Sequence, residues 1–185
     1  MLVVGRRALR PADRVRLPST SAGVARRSRV PVVVVPHDWA PDLHRAEPVV
    51  IGIDLEHDNT TALDFAFAAA QRRAAPLLVI RAHDVGAHLS WDGSVKPAAT
   101  TASIEREAQA VHMQLGPRRQ AWPDVRVSVR QTGATPRAAL LTATVHAQLL
   151  VLGRHDPARF GFRLGPVART VLSTARVPVA VVPTD

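Results

Sequence analysis

Arg29-Val-Pro-Val-Val-Val-Val-Pro36 and Arg176-Val-Pro-Val-Ala-Val-Val-Pro183 differ at one position, and the likeness extends backwards from both. Leu17–Pro36 and Leu164–Pro183 align without a gap and agree at nine of twenty positions. Val3-Val4-Gly5-Arg6 opens the first copy, as Val151-Leu152-Gly153-Arg154 opens the second. Such a repeat governs the architecture. A long stretch, residues 48–148, stands ahead of the second copy, and almost nothing stands ahead of the first. The expectation is one complete repeat at 48–185, a linker at 37–47, and residues 1–36 as the C-terminal remnant of an earlier repeat. On this reading the chain starts mid-domain.

Working outward, Val49-Val-Ile-Gly-Ile53, Leu77-Leu-Val-Ile80, Leu149-Leu-Val-Leu152 and Val179–Val182 are short apolar runs of buried strands. Val125–Arg130 alternates instead, so one of its faces is wet. Helices are expected from Asn59 or Thr60 to about Arg73 and from Ser103 through Leu115. Two more are expected from Thr135-Pro136 through Thr144 and over Pro166–Ala175. Strands alternating with helices imply right-handed crossovers and a sheet covered on both faces. The predicted fold is therefore α/β, with a five-stranded parallel sheet in the order 3-2-1-4-5 and a partial second copy of strand-helix-strand. The alternating third strand takes an edge. Between strands 1 and 4 the order reverses, and ligands bind beyond the carboxyl ends of strands at such a point. Asp54 and Gly153 fall there. The last strand would be a bare apolar edge, which invites aggregation. Val32–Val35 of the partial repeat is expected to cover Val179–Val182 as an intrachain pseudo-dimer, with a homo-oligomer as the alternative.

With 46% apolar and 21% charged residues the chain can build a core. No apolar run approaches the roughly 20 residues of a membrane span, and the start lacks the order of a signal peptide. The cytoplasm is the default compartment. Cysteine is absent, which excludes disulfides and thiolate chemistry. The net charge of +9 sits mainly in residues 1–36, where eight Arg face one acid, while the remainder holds 16 basic and 14 acidic groups. Arg6, Arg7, Arg10, Arg14 and Arg16 are expected to be exposed and could meet polyanions. No aromatic residues interleave with them for base stacking, so nucleic-acid binding is disfavoured. His83 and His88 show no metal-ligand spacing and read as loop residues. Trp91 and Trp122 read as packing residues.

Three segments together resemble the universal stress protein family over residues 48–185. They are Val50-Ile-Gly-Ile-Asp54, Gly133-Ala-Thr-Pro136 ahead of a helix, and the run from Gly153 through Gly165 to Val177-Pro-Val-Ala-Val-Val182. The partial repeat is similar to that family's final strand-loop-helix-strand. The resemblance implies a Rossmann-like, adenine-nucleotide-binding domain of a tandem-type protein. Its ATP-binding members carry G-x2-G-x9-G-[ST] after the fourth strand, where backbone N–H groups and a helix N-terminus meet phosphates. Here Gly153 matches the first glycine, Asp156 stands at the second, Gly165 comes one residue early, and Pro166 replaces the Ser/Thr. In the partial repeat Gly5 and Ser19 match, while Ala8 and Pro18 take the other glycine positions. Both loops are degenerate.

The departures carry a chemical cost. Asp156 sets a carboxylate near the phosphates and repels them unless Arg154, His155, Arg159 or Arg163 neutralises it. Pro166 brings neither an N–H nor a hydroxyl. Asp54 matches the acidic residue near the nucleoside and Ala82 the position beside the adenine, so the adenosine half is better kept. The site implied by the resemblance comprises Asp54, Ala82, Gly153, Arg154, Asp156, Gly165, Pro166 and Val167, with ATP or another adenine nucleotide as ligand. The plain alternative is that Asp54 ends a strand and the glycines serve turns. The implied function is a non-enzymatic stress-response or signalling module. A non-nucleotide-binding interaction or dimerisation domain is the alternative. No Ser-His-Asp order, metal set or carboxylate pair supports a hydrolase, although slow ATP hydrolysis is left open.

Overall fold

The computed structural model describes residues 1–6, 20–82, 101–154 and 164–184. The chain opens with β1 (Leu2–Arg6), α1 (Thr20–Arg27) and β2 (Val32–Pro36). Then come β3 (Val49–Gly52), α2 (Thr60–Arg72), β4 (Leu77–Ala82), α3 (Thr101–Ala121) and β5 (Val127–Thr132). The chain closes with α4 (Pro136–Ala143), β6 (Leu149–Arg154), α5 (Pro166–Thr174) and β7 (Val179–Pro183).

One sheet holds seven strands in the order β1-β2-β7-β6-β3-β4-β5. From β5 across to β7 each neighbouring pair is parallel. β1 and β2 are parallel to each other. β2 then meets β7 antiparallel, with Val32 opposite Val181, Val33 opposite Ala180 and Val34 opposite Val179. The expectation of a five-stranded parallel sheet whose last strand is covered by Val32–Val35 is thus corrected to one mixed sheet of seven strands, in which that covering pair is part of the ladder. The first two strands join the same sheet and make it mixed, because the unpaired amides and carbonyls along apolar β7 need partners. β2 supplies them within the chain.

Successive side chains of a strand point to opposite faces, so each buried strand feeds two cores. Val49, Ile51, Val79 and Val151 pack with Ala66 and Phe67 of α2 and with Val111 and Leu115 of α3. On the other face Val50, Leu150 and Val181 pack with Val32 of β2, Ala25 of α1, Leu140 of α4 and Val171 of α5. Gly52 lets α4 approach β3, since a Cβ there would lie 2.8 Å from Leu140 Cδ2. Trp122 packs against Phe67 with ring centroids 5.4 Å apart. In the 37–47 segment Trp39 stacks on His44 at 4.4 Å.

The two sheet edges differ in chemistry. β5 alternates, its Ser128 and Arg130 exposed and its Val127 and Val129 half-buried. β1 leaves Leu2 46% and Val3 63% exposed, whereas their repeat counterparts Leu150 and Val151 are both at 0%. Two boundaries also depart from expectation. α3 starts at Thr101 rather than after Ser103 and continues through Pro117 to Ala121. β5 lies two residues later than Val125–Arg130, because its ladder with β4 sets Leu77 opposite Val127 and Ala82 opposite Thr132. His83, His88 and Trp91 lie outside the described residues.

Candidate functional site

The strand order reverses between β3 and β6, with β4 on one side and β7 on the other. These two strands are parallel, Gly52 opposite Leu152, so Asp54 and Gly153-Arg154 leave the sheet at the same end. Just beyond β3 the chain makes a turn braced by Asn59, which is 2% exposed. Asn59 Oδ1 accepts from the Asp54 N–H at 3.3 Å. Its Nδ2 donates to the Asp54 carbonyl at 2.7 Å, the His57 carbonyl at 3.0 Å and Gln114 Oε1 of α3 at 3.3 Å. Sequence reasoning reads Asn59 as one of two candidate helix caps. It occupies the N-cap position of α2, but its side chain caps no α2 amide and shapes the Asp54 turn instead. The only sequence signal for that role is an amide side chain five residues after the strand-ending acid.

The Asp54 side chain is 46% exposed. One oxygen accepts from the Glu56 N–H at 3.0 Å, and the other lies 3.0 Å from His57 Nδ1. Burial pushes the carboxyl up. The Glu56 N–H bond, His57 and the charge of Arg81 together outweigh it and hold Asp54 below the usual carboxylate range. Arg81 is itself 3.2 Å from Glu107 of α3. The result is an ionised acceptor facing solvent at the point of strand reversal, suited to hydroxyl or amine donors. Ala82 ends β4, is 6% exposed and offers only a methyl group.

On the β6 side, Gly153 lies opposite Val182 of β7. The Arg154 guanidinium does not turn to the crevice. It is 6% exposed, and its Nη1 donates to the Ala25 and Arg26 carbonyls, each at 2.9 Å, on the last turn of α1. The Arg154 carbonyl accepts from the Thr184 N–H at 3.1 Å and from Thr184 Oγ1 at 3.0 Å. As a counter-charge for phosphates, Arg154 is therefore corrected to a tie between the two repeats.

Arg6 is corrected in the same way. Rather than standing exposed, its Nη1 donates to the Leu172 carbonyl at 2.6 Å and its Nη2 to the Ala175 carbonyl at 2.5 Å, at the C-terminal end of α5. In the aligned repeats Leu172 is the counterpart of Ala25, so each copy's Gly-Arg reaches the other copy's helix end. The recurring Gly-Arg after both strands was the available signal.

Gly165 is the N-cap of α5, with φ −59° and ψ 162°. Among the described residues a Cβ there would meet nothing within 4 Å. Among them, neither a left-handed backbone nor a packing contact requires glycine at this position. Pro166 is the first residue of α5 and has no N–H, so Val167 and Ala168 carry the first free helical donors. Asp156, His155, Arg159 and Arg163 lie outside the described residues, as do Ala8, Pro18, Ser19, Arg7, Arg10, Arg14 and Arg16. Among the described residues no group of three or more His, Asp or Glu could hold a metal ion. Among them, too, no helix is long and apolar enough to cross a membrane.

Over residues 46–183 the chain matches the profile of the universal stress protein family. It is similar to a universal stress protein of Mycolicibacterium smegmatis, 34% identical over 188 residues, with 98% of this chain and 61% of that one covered. It thus spans about three fifths of that relative's length. Among solved structures it is similar to a universal stress protein from Archaeoglobus fulgidus DSM 4304, with a TM-score of 0.68 and 19% identity. That match covers 98% of this chain and 62% of the other. A second is the universal stress protein from Archaeoglobus fulgidus in complex with dAMP, with a TM-score of 0.54 and 22% identity. It covers 74% of this chain and 97% of that one. At these identities the structural likeness speaks for the fold.

Proposed function

This chain belongs to the universal stress protein family, and from that premise we propose that it is a non-enzymatic stress-response or signalling module binding an adenine nucleotide beyond β3 and β6. The observation that carries the reading is Asp54, ionised and half-exposed where the strand order reverses. Its carboxylate is suited to accept ribose hydroxyls, and Ala82, at the end of neighbouring β4, holds the position that the family resemblance sets beside the adenine. The Archaeoglobus fulgidus neighbour solved with dAMP supports the ligand class.

The two halves of such a ligand fit unequally. Asp54 and Ala82 suit the adenosine. On the phosphate side, Gly165 caps a helix N-terminus that favours anions. Pro166 withholds an amide there, and the Arg154 guanidinium is engaged on α1. Phosphates beyond the first therefore gain little. The same reading takes 48–185 as the nucleotide domain, 37–47 as its linker and 1–36 as a second copy of the terminal strand-helix-strand.

Calorimetric titration of the full chain tests this. ATP and AMP are expected to bind with affinities within about tenfold of each other, or roughly 1.4 kcal/mol. Low-micromolar ATP binding with undetectable AMP binding would refute the weak phosphate half. Binding of neither would overturn the nucleotide reading in favour of an interaction domain.

A further inference from the structure

The candidate site is flanked on its β6 side by Arg154, at the end of the strand, and by the start of α5 at Gly165. Both are tied to residues 1–36. Arg154 is seated on the last turn of α1 through the Ala25 and Arg26 carbonyls. At the far end of α5 the Leu172 and Ala175 carbonyls are gripped by Arg6. A helix of this length is a rod of about 13 Å, so fixing its C-terminal end sets where its N-terminal amides point. The carbonyls of a last helical turn have no intrahelical donors. A forked guanidinium that takes two of them also resists rotation of the helix end.

We propose that Arg6 is a positioning residue for the phosphate half of the nucleotide site, acting through α5 from the N-terminal strand-helix-strand. The Asp54 side is built separately. It depends on Asn59, Gln114 and Arg81, none of which touches α1, α5 or β1 in the hydrogen bonds described above. Loss of the Arg6 grip therefore acts selectively, on phosphate-bearing ligands and not on the nucleoside. This inference rests on the nucleotide reading, and the two fail differently.

Titrate the full chain and its Arg6→Gln variant with adenosine, AMP and ATP, and follow amide hydrogen exchange over 166–175. In Arg6→Gln, AMP and ATP affinities are expected to fall by about fivefold, the scale of a displaced helix N-terminus. Adenosine affinity should stay within about twofold, and exchange should quicken at Ala175, whose N–H bonds the Val171 carbonyl. If Arg6→Gln fails to fold, Arg6→Lys, which keeps a charge but loses the fork, should show the same selectivity at smaller size. Equal weakening of adenosine and AMP means a merely structural arginine and overturns the proposal. So does unchanged binding of all three. A wild-type chain that binds none of them overturns the nucleotide reading itself.

Discussion

Arg154→Met is the most direct probe of how the N-terminal unit is held. Methionine keeps much of the length and apolar stem of arginine but donates no hydrogen bond. The variant strands the Ala25 and Arg26 carbonyls, now met by one buried guanidinium at 2.9 Å each. A hydrogen bond to a charged group contributes about 1.5–3 kcal/mol, and two sharing one nitrogen fall short of double that. Relief from burying a cation opposes the loss. In a buried ion pair that relief can win, because both partners can be exchanged for apolar groups. Here the acceptors are peptide carbonyls, which no side-chain change removes. The expected net loss is about 3 kcal/mol. With a urea m-value of about 2 kcal/mol per molar, the midpoint should fall by about 1.5 M. Hydrogen exchange should quicken first over 20–28, where α1 loses its clamp. A midpoint shift below about 0.3 M at unchanged m-value would refute the reasoning.

Three further outcomes are expected. Ala74 sits at φ 48° just past α2, a left-handed position that penalises a Cβ, so Ala74→Gly should raise stability by about 0.5–1 kcal/mol in urea melts; a loss would show that the turn has other constraints. Thr135 Oγ1 accepts from the Ala138 N–H at 3.4 Å at the start of α4, and at that length Thr135→Ala should cost only about 0.5–1 kcal/mol by the same measurement. Asp54, held below its ordinary value of 3.8, stabilises the fold fully above that value and progressively less as pH falls through its lower folded-state pKa. The gap in melting temperature between wild type and Asp54→Asn should therefore be present at neutral pH and narrow only in that acidic window, and a pH-independent gap would contradict the assignment.

The sheet was legible where a residue's neighbours lie close in the chain or its pattern is uniform. The continuous apolar runs at Val49, Leu77, Leu149 and Val179 read as strands buried on both faces, and the alternation around Val127 as a strand with one wet face. Thr135-Pro136 announced α4 because a cap and a proline at the first turn are local requirements. Pro117 lies within α3, which continues four residues beyond it to Ala121. The Asp54 position followed from topology, but the Asn59 brace did not, because Gln114 reaches it from 55 residues away. Arg154 was misread for the same reason. Its acceptors lie 129 and 128 residues away, and a basic residue next to a phosphate-type loop looks like a phosphate ligand until the fold brings in another partner.

The unequal sheet edges give the molecule a direction. On the β5 side Arg130 stands outward, and an incoming strand would have to desolvate its charge. On the β1 side an arriving strand meets Leu2 and Val3 and buries aliphatic surface that is wet in the isolated chain. Of the two described edge strands, β5 is thus guarded by charge and β1 is not.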